Sequence, residues 1–416
     1  RIAAISPQPR LGSDTCGDHT AGKPEIGLPD YYWLVETNTA VTSACLAAEK
    51  CATTFVGPLG LGASFNRSSW RLNGDVLGTE MRAFSNAGWH RRNAENRIAL
   101  TGFGPNINLV RDPRFGRASE LPGEDPFLNG HYAKETVLGM QAKDAKGHPK
   151  MLAYLKHFTA YSRETNRGHD SYDVSMHDLH ESYLAAYKIA FTEGHATGAM
   201  CSYNAINGVP SCANSYVLNE VVRTAWGRED AHITTDCGAV SNLRGAPANA
   251  PSDEAACAWT INNGTDLEMG STTWTNSMQS AVEEGMVDEA TIEASARRAF
   301  RILFRAGRFD PLEDVEWTKI TTDAINSTRH QQIAREAALQ SFVLLKNEDS
   351  LLPLSKGGRI AVVGPMGVNR NLFSDYAGDE ECFGGGFDCV PTIAEAIDAT
   401  NVGGETSAAR GVDVNS

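Results

Sequence analysis

Along residues 50–300, short apolar runs that close on a Gly, a Pro or a charged side chain alternate with longer stretches of helical spacing. Ile98–Pro105, Met151–Leu155 leading into Lys156-His157-Phe158, Gly198–Asn204 and Ala231–Thr235 each have the length and bounding residues of a buried strand. Thr53–Pro58 reads as a shorter strand leaving into a Gly/Pro turn, and Leu28–Asn38 as an aromatic run that meets a carboxylate at Glu36. Residues 67–95 carry Leu72, Val76, Met81 and Phe84 among polar positions, the signature of a helix buried on one side. Residues 177–193, 215–226 and 283–304 are predicted helices as well, and Asp125-Pro126 supplies a helix start, with Asp as cap and Pro in the first turn. Strands alternating with helices predict a (β/α) barrel, with a doubly wound sheet as the competing architecture. No G-x-G-x-x-G lies between a strand and a helix, which removes the dinucleotide-binding version of that alternative.

Beyond the helix ending near Phe304 the pattern changes. Gly307–Pro311 breaks it, 311–330 is polar and irregular, 330–341 is helical, and Phe342–Asn347 is a short apolar run. Ile360–Pro365 has the signal of a buried strand and opens a second α/β unit, which the remaining residues are too few to finish.

Composition narrows the classes. The 416 residues are 41% hydrophobic and 21% charged, an ordinary globular mixture with a net charge of −14. Such a balance disfavours nucleic acid and anionic membranes as partners. Nine cysteines, several closely spaced (Cys45 with Cys51, Cys201 with Cys212, Cys382 with Cys389) and none in paired CxxC form, point to disulfides in an oxidising compartment. Asn66, Asn263 and Asn326 head N-x-S/T sequons, and the expected setting is secreted or vacuolar. The chain begins without Met and carries no signal peptide, so an incomplete N-terminus is expected.

The strand ends gather a polar set: Glu36, Arg117, Lys156, His157, Tyr203 and Asp236. An apolar β-branched run that stops at Asp236 and turns at Gly238 either caps a helix or presents a carboxylate to a cleft at the C-terminal end of a barrel. Two cations beside such a carboxylate would keep it ionised, as a glycosidase nucleophile requires. Tyr203 reads equally as a core aromatic. His177 and His180 read as a solvated face rather than a metal site, and Cys237 as a packed or disulfide-bonded residue rather than a nucleophile. No Gly-x-Ser-x-Gly elbow and no P-loop is present.

Four stretches carry a resemblance to glycoside hydrolase family 3: Arg111–Arg117 with Gly123-Glu124-Asp125-Pro126; Lys156-His157-Phe158; Met200–Asn204 with Asn207-Gly208-Val209-Pro210; and Thr235–Ala239. Ser341–Lys346 and Ile360–Pro365 resemble the family too. The resemblance implies an α/β fold, a TIM-like (β/α)8 barrel over 1–310, a linker over 311–358, and the beginning of an (α/β) sandwich domain over 359–416. It implies exo-acting hydrolysis of β-glycosides with retention, Asp236 as nucleophile, and Glu36, Arg117, Lys156, His157, Arg167 and Tyr203 as sugar-binding residues. The partner is then an oligosaccharide, with no cofactor, metal, nucleic acid or membrane expected. Arg111 and the Gly-Glu-Asp-Pro turn look structural. Within the family, Cys237 after the nucleophile and Glu36 in place of Asp resemble the β-xylosidase/α-L-arabinofuranosidase branch, because the longer Glu would crowd a hexose hydroxymethyl group.

The chain also departs from the family pattern. Thr37-Asn38-Thr39-Ala40 stands where Ala-Leu-His-Gly is usual, and Phe103 where xylosidases often carry Tyr. Met269 replaces a frequent Cys, which leaves Cys257 as a guess for the partner of Cys237. The family's acid/base Glu is expected beyond residue 416, so no acid/base is assigned. A β-glucosidase, an N-acetylhexosaminidase using His169-Asp170, and a noncatalytic sugar-binding protein remain the alternatives.

Overall fold

The structure is a computed structural model that describes residues 2–6, 19–28, 30–41, 45–47, 50–88, 99–378, 382 and 386–411. At its centre four parallel strands pair in chain order: β1 (Thr101–Asn106), β2 (Leu152–Phe158), β3 (Gly198–Cys201) and β4 (His232–Thr235). Every residue of all four is buried. That explains why they read as near-continuous apolar runs instead of alternating ones. Each edge of the ladder is extended by a single parallel bridge, Glu36 to Phe103 on one side and Leu267 to Thr234 on the other. The TIM-like α/β fold expected from the sequence is thus present. Among the described residues this TIM-like α/β unit has four full strands and two bridged segments.

Helices flank the ladder as the alternation requires. Asn66 caps α1 (Arg67–Asn86), its side-chain oxygen accepting from the Ser68 and Ser69 amides at 3.0 and 3.2 Å. Asp125 caps α2 (Pro126–Met140) by accepting from the Phe127 amide at 2.9 Å, with Pro126 in the first turn, so the Gly-Glu-Asp-Pro stretch serves the fold. The helical stretch starting at Met176 widens into a π-helical turn at Leu179–Tyr183 and continues as α3 (Ala185–Thr192). Tyr216–Ala225 is π-helical throughout. After β4 come α4 (Asp253–Asn262), α5 (Thr273–Glu283) and α6 (Glu289–Arg305).

Three local expectations change. The helix predicted over 283–304 begins later, at Glu289: Glu283 is the last residue of α5, and Gly285, at φ 72°, separates the two helices. Thr53–Pro58 forms no strand, because Pro58 begins a short helix, Pro58–Ala63. Residues 89–98, the end of the predicted 67–95 helix and the start of the Ile98 strand, lie outside the described residues.

The connecting region is short 3₁₀ turns followed by α7 (Thr328–Gln340). This helix is docked rather than loose. Ala337 packs with Phe55, Leu61, Trp70, Val76 and Tyr132. The His330 Nδ1 lies 2.7 Å from buried Glu80, which also accepts from the Thr53 and Asn326 amides. Further on, β5 (Arg359–Val363), α8 (Ile393–Thr400) and β6 (Glu405–Ala409) form a βαβ unit with two parallel strands. The strand predicted at Ile360 is present but not buried: Val363 is 70% exposed. Phe342–Asn347 is exposed as well, with Leu345 at 90%. Its apolar side chains have nothing packed over them among the described residues.

Candidate active site

The C-terminal ends of the central strands present the charged residues. Asp236 directly follows β4; its amide donates to the Cys201 carbonyl at 3.2 Å, which fixes the backbone, and the Cys237 amide donates to its Oδ1 at 2.7 Å. Gly238, at φ 77°, then turns the chain into a short helix, Ala239–Asn242. The carboxylate is thus held at a strand end and does not cap that helix. Of the two readings the sequence allowed, the helix-capping one is excluded.

Lys156 and His157 are the two residues before the last of β2 and are 0% and 2% exposed. The Lys156 ammonium donates to Glu36, carried by the bridged segment beside β1. His157 is pinned at every polar atom. Its amide donates to Asn108 Oδ1 at 2.8 Å, its Nδ1 lies 3.3 Å from the same oxygen, and its carbonyl accepts from Asn108 and Tyr187. Its Nε2 lies 3.2 Å from Arg117 Nη1 and 3.8 Å from Asp236 Oδ2. Burial, reinforced by Arg117, Lys156 and Arg167, holds the imidazole well below its ordinary pKa. A neutral ring with Nδ1–H given to Asn108 leaves the Nε2 lone pair for Arg117. His157 therefore orients the guanidinium and forms no ion pair with Asp236.

Arg117 is gripped from the other side by Glu120, its Nε and Nη2 donating at 2.7 and 2.8 Å. Burial works against the charge, but the Glu120 hydrogen bonds outweigh it and Arg117 is raised above its ordinary range. Arg167 lies over the Tyr203 ring at 4.8 Å and pairs with Glu164 at 2.9 Å. The Tyr203 hydroxyl donates to the Cys237 carbonyl at 2.8 Å, immediately after Asp236. Tyr203 is partly buried and tied to the site, not simply a core aromatic.

All seven residues singled out from the sequence are therefore brought together: Asp236, His157 and Arg117 as one chain, Lys156 with Glu36, and Arg167 with Tyr203 beside Cys237. One expectation is corrected. The flanking cations do not fix the charge of Asp236 outright. Burial is the largest influence and raises its pKa, while the Cys237 amide, Arg117, Lys156 and Arg167 oppose it. Glu36 is raised for the same reason, against Lys156.

Sequence reasoning missed Glu120, Asn108, Tyr161 and Tyr376. Glu120 stands three residues after Arg117, a spacing that could have suggested the pair. Tyr161 sets its ring edge-on to His157 at 5.2 Å. Tyr376 arrives from far along the chain and gave no local signal. The predicted guess of Cys257 as partner of Cys237 is also overturned: Cys237 is disulfide-bonded and Cys257 is a free, buried thiol. The pairs Cys45–Cys51, Cys201–Cys212 and Cys382–Cys389 are formed. His169 and Asp170 turn to separate partners, Ala246 for the one, Arg163 and Asn166 for the other. Among the described residues no cluster of three or more metal-ligating side chains occurs, and no helix is long and apolar enough to cross a membrane.

Comparison with known proteins agrees with this geometry. The model of the glycosyl hydrolase family 3 N-terminal domain matches residues 47–302. Exo-1,4-beta-xylosidase bxlB of Emericella nidulans is 36% identical over 429 residues, covering 100% of this chain and 53% of that protein. The probable exo-1,4-beta-xylosidase xlnD of Neosartorya fischeri is 34% identical, covering 95% and 53%. A solved family 3 exo-beta-xylosidase (XlnD), in complex with a xylobiose aziridine activity-based probe, superposes with a TM-score of 0.84 at 32% identity, over 95% of this chain and 50% of that one. The beta-glucosidase from Listeria innocua in complex with isofagomine superposes with 0.74 at 27% identity, over 88% and 48%. The chain spans about half the length of the curated relatives it matches.

Proposed function

Since the chain belongs to glycosyl hydrolase family 3, we propose that Asp236 is the nucleophile of an exo-acting, retaining β-xylosidase that removes nonreducing terminal xylose from xylo-oligosaccharides. One observation carries this reading. The buried Asp236 carboxylate stands at a strand end, and Arg117, Lys156, His157 and Tyr203 converge around it. Asp236 attacks the anomeric carbon, the leaving oxygen departs with its bonding pair and takes a proton, and water then cleaves the glycosyl–aspartate ester with net retention. Proton delivery requires a second carboxyl, about 5–5.5 Å from the first in retaining enzymes; no residue is assigned to it here.

The remaining groups hold the sugar. Lys156 with Glu36 offers a donor and an acceptor at adjacent points, as vicinal hydroxyls demand, while Arg117 and Arg167 offer further donors. Because these side chains are already held by Glu120, Asn108 and Tyr187, binding energy goes into orienting the substrate and not into ordering the protein. The proposed organisation is a catalytic unit over 1–310, a connector over 311–358 and the start of a second unit over 359–416. The disulfides and the xylosidase relatives support a secreted protein acting on xylan fragments.

Incubation with a 2-fluoro xylosyl donor bearing a good leaving group, followed by peptide mapping, tests the reading. Such a donor scarcely needs acid assistance. A stable adduct on Asp236 is the expected result; an adduct elsewhere, or none in a folded sample, refutes it. The likeness to a β-glucosidase structure makes a glucosidase the second reading, and the matching glucosyl donor is its test.

A further inference from the structure

Residues 374–378, from the second unit, are seated directly on the sugar-binding cations. The Tyr376 ring lies 4.5 Å from Lys156 Nζ, and Arg117 Nη2 donates to the Tyr376 hydroxyl at 3.3 Å. Burial raises the phenol above its ordinary pKa, with Glu36 adding to it, so the hydroxyl is neutral and accepts from the guanidinium.

The seat is built for this segment. Thr39 Oγ1 faces the Tyr376 and Ser374 carbonyls at 2.6 and 3.2 Å, and the Asn38 amide donates to the Asp375 carbonyl at 3.0 Å. The Gly378 amide donates to Thr54 at 3.1 Å, and a Cβ on Gly378 would stand 2.5 Å from the Ala52 carbonyl oxygen, so only glycine permits this approach. Asn38 and Thr39 belong to the stretch Thr37–Ala40 that departs from the family pattern. Here they are the clasp of the segment.

We propose that Tyr376 is a wall of the sugar pocket that sets its specificity, restricting the site to a pyranose without an exocyclic carbon. The inference rests on the glycosidase reading above. Lys156 and Glu36 are the donor–acceptor pair for adjacent hydroxyls, and the Tyr376 ring lies against the Lys156 head. A pentopyranoside reaches the pair with its ring hydroxyls. A hexopyranoside must also place a hydroxymethyl group beside it, against an aromatic face whose backbone is fixed at three successive carbonyls and therefore cannot yield. The same ring keeps water from Lys156, which strengthens its pairing with Glu36 and with a bound hydroxyl.

The test compares kcat/KM for 2,4-dinitrophenyl β-D-xyloside and β-D-glucoside in the wild-type chain and in Tyr376→Ala, Tyr376→Phe and Thr39→Val. Tyr376→Ala is expected to shift the xyloside/glucoside ratio toward the glucoside by about 10-fold or more, the range one extra carbon commands in a shaped pocket. Tyr376→Phe keeps the ring and is expected to keep the ratio. Thr39→Val, which frees the segment without touching the ring, shifts the ratio in the same direction as Ala and guards against a folding defect in that variant. Equal losses on both substrates, or an unchanged ratio in both Tyr376→Ala and Thr39→Val, overturn the assignment of Tyr376 alone. If the wild type cleaves neither substrate and takes no label on Asp236, the glycosidase reading falls, and this inference with it.

Discussion

Replacing Arg117 by Ala tests the physical core of the site most directly. Arg117 and Glu120 exchange two hydrogen bonds of 2.7 and 2.8 Å, and their side chains are 9% and 4% exposed. Were this pair at the surface, removing one partner would cost at most about 1 kcal/mol. Because it is buried, Arg117→Ala leaves the Glu120 carboxylate with, among the described residues, a 3.4 Å contact from Asn106, and the expected loss of stability is about 3–5 kcal/mol. The double variant Arg117→Ala/Glu120→Ala carries no orphan charge and should recover much of that loss, giving a coupling of roughly 2 kcal/mol or more. Urea unfolding followed by tryptophan fluorescence measures all three variants against the wild type. A single-variant loss below about 1 kcal/mol, or additive losses, would refute the reasoning. Activity adds a second reading, since the single variant also takes the donor from His157 Nε2.

Three other expectations are accessible. His232, stacked on Trp33 at 5.2 Å, is lowered to about 4 by burial, with Arg298 and Arg223 adding to it and Asp266 opposing. The unfolded chain takes up this proton near pH 6.5 and the folded one only near 4, so stability should decline as pH falls through that window, by about 3 kcal/mol from this group. His232→Gln should flatten the dependence, and an unchanged slope in pH-dependent melts would count against it. Asp236→Asn should abolish labelling yet hold or raise the melting temperature. Its raised pKa means that the charged form is disfavoured on folding at neutral pH, and Asn still accepts from the Cys237 amide; a drop of several degrees would contradict this. On the proposed mechanism, the acid limb of activity on a dinitrophenyl xyloside should lie above the ordinary Asp range of about 3.9, because Asp236 must lose a proton that burial retains. A limb at or below that value would show that the cations prevail over burial.

The strands around the site were legible because burial on both faces leaves only apolar side chains until the strand ends, and the first polar residue then marks the cleft. Asp236 and the Lys156-His157 pair were found that way. Lys156 and His157 are themselves inside the ladder, which no run of apolar residues announces. The groups that hold them were hidden for a different reason. Asn108 and Tyr187 act through backbone and ring contacts across the fold, and Tyr376 through a distance of 259 residues from Arg117, so neither period nor local spacing records them. Gly285 was visible, yet helical spacing on both sides of it masked the break. The exposed β5 shows the converse: Ile360–Val363 has the composition of a core strand, but burial depends on neighbours that its own residues do not specify.

The clasp between Thr39 and Tyr376 spans 337 residues, and that span imposes an order in time. As the chain is synthesised, Asp236, Arg117, Arg167 and Lys156 emerge long before the segment that packs against Arg117 and Lys156. A nascent chain that has reached Asp236 still lacks that segment. Only when residues 374–378 are released can they dock on Asn38 and Thr39. The completed packing is thus a late event in the life of the polypeptide, reached after the central strands have had the opportunity to fold.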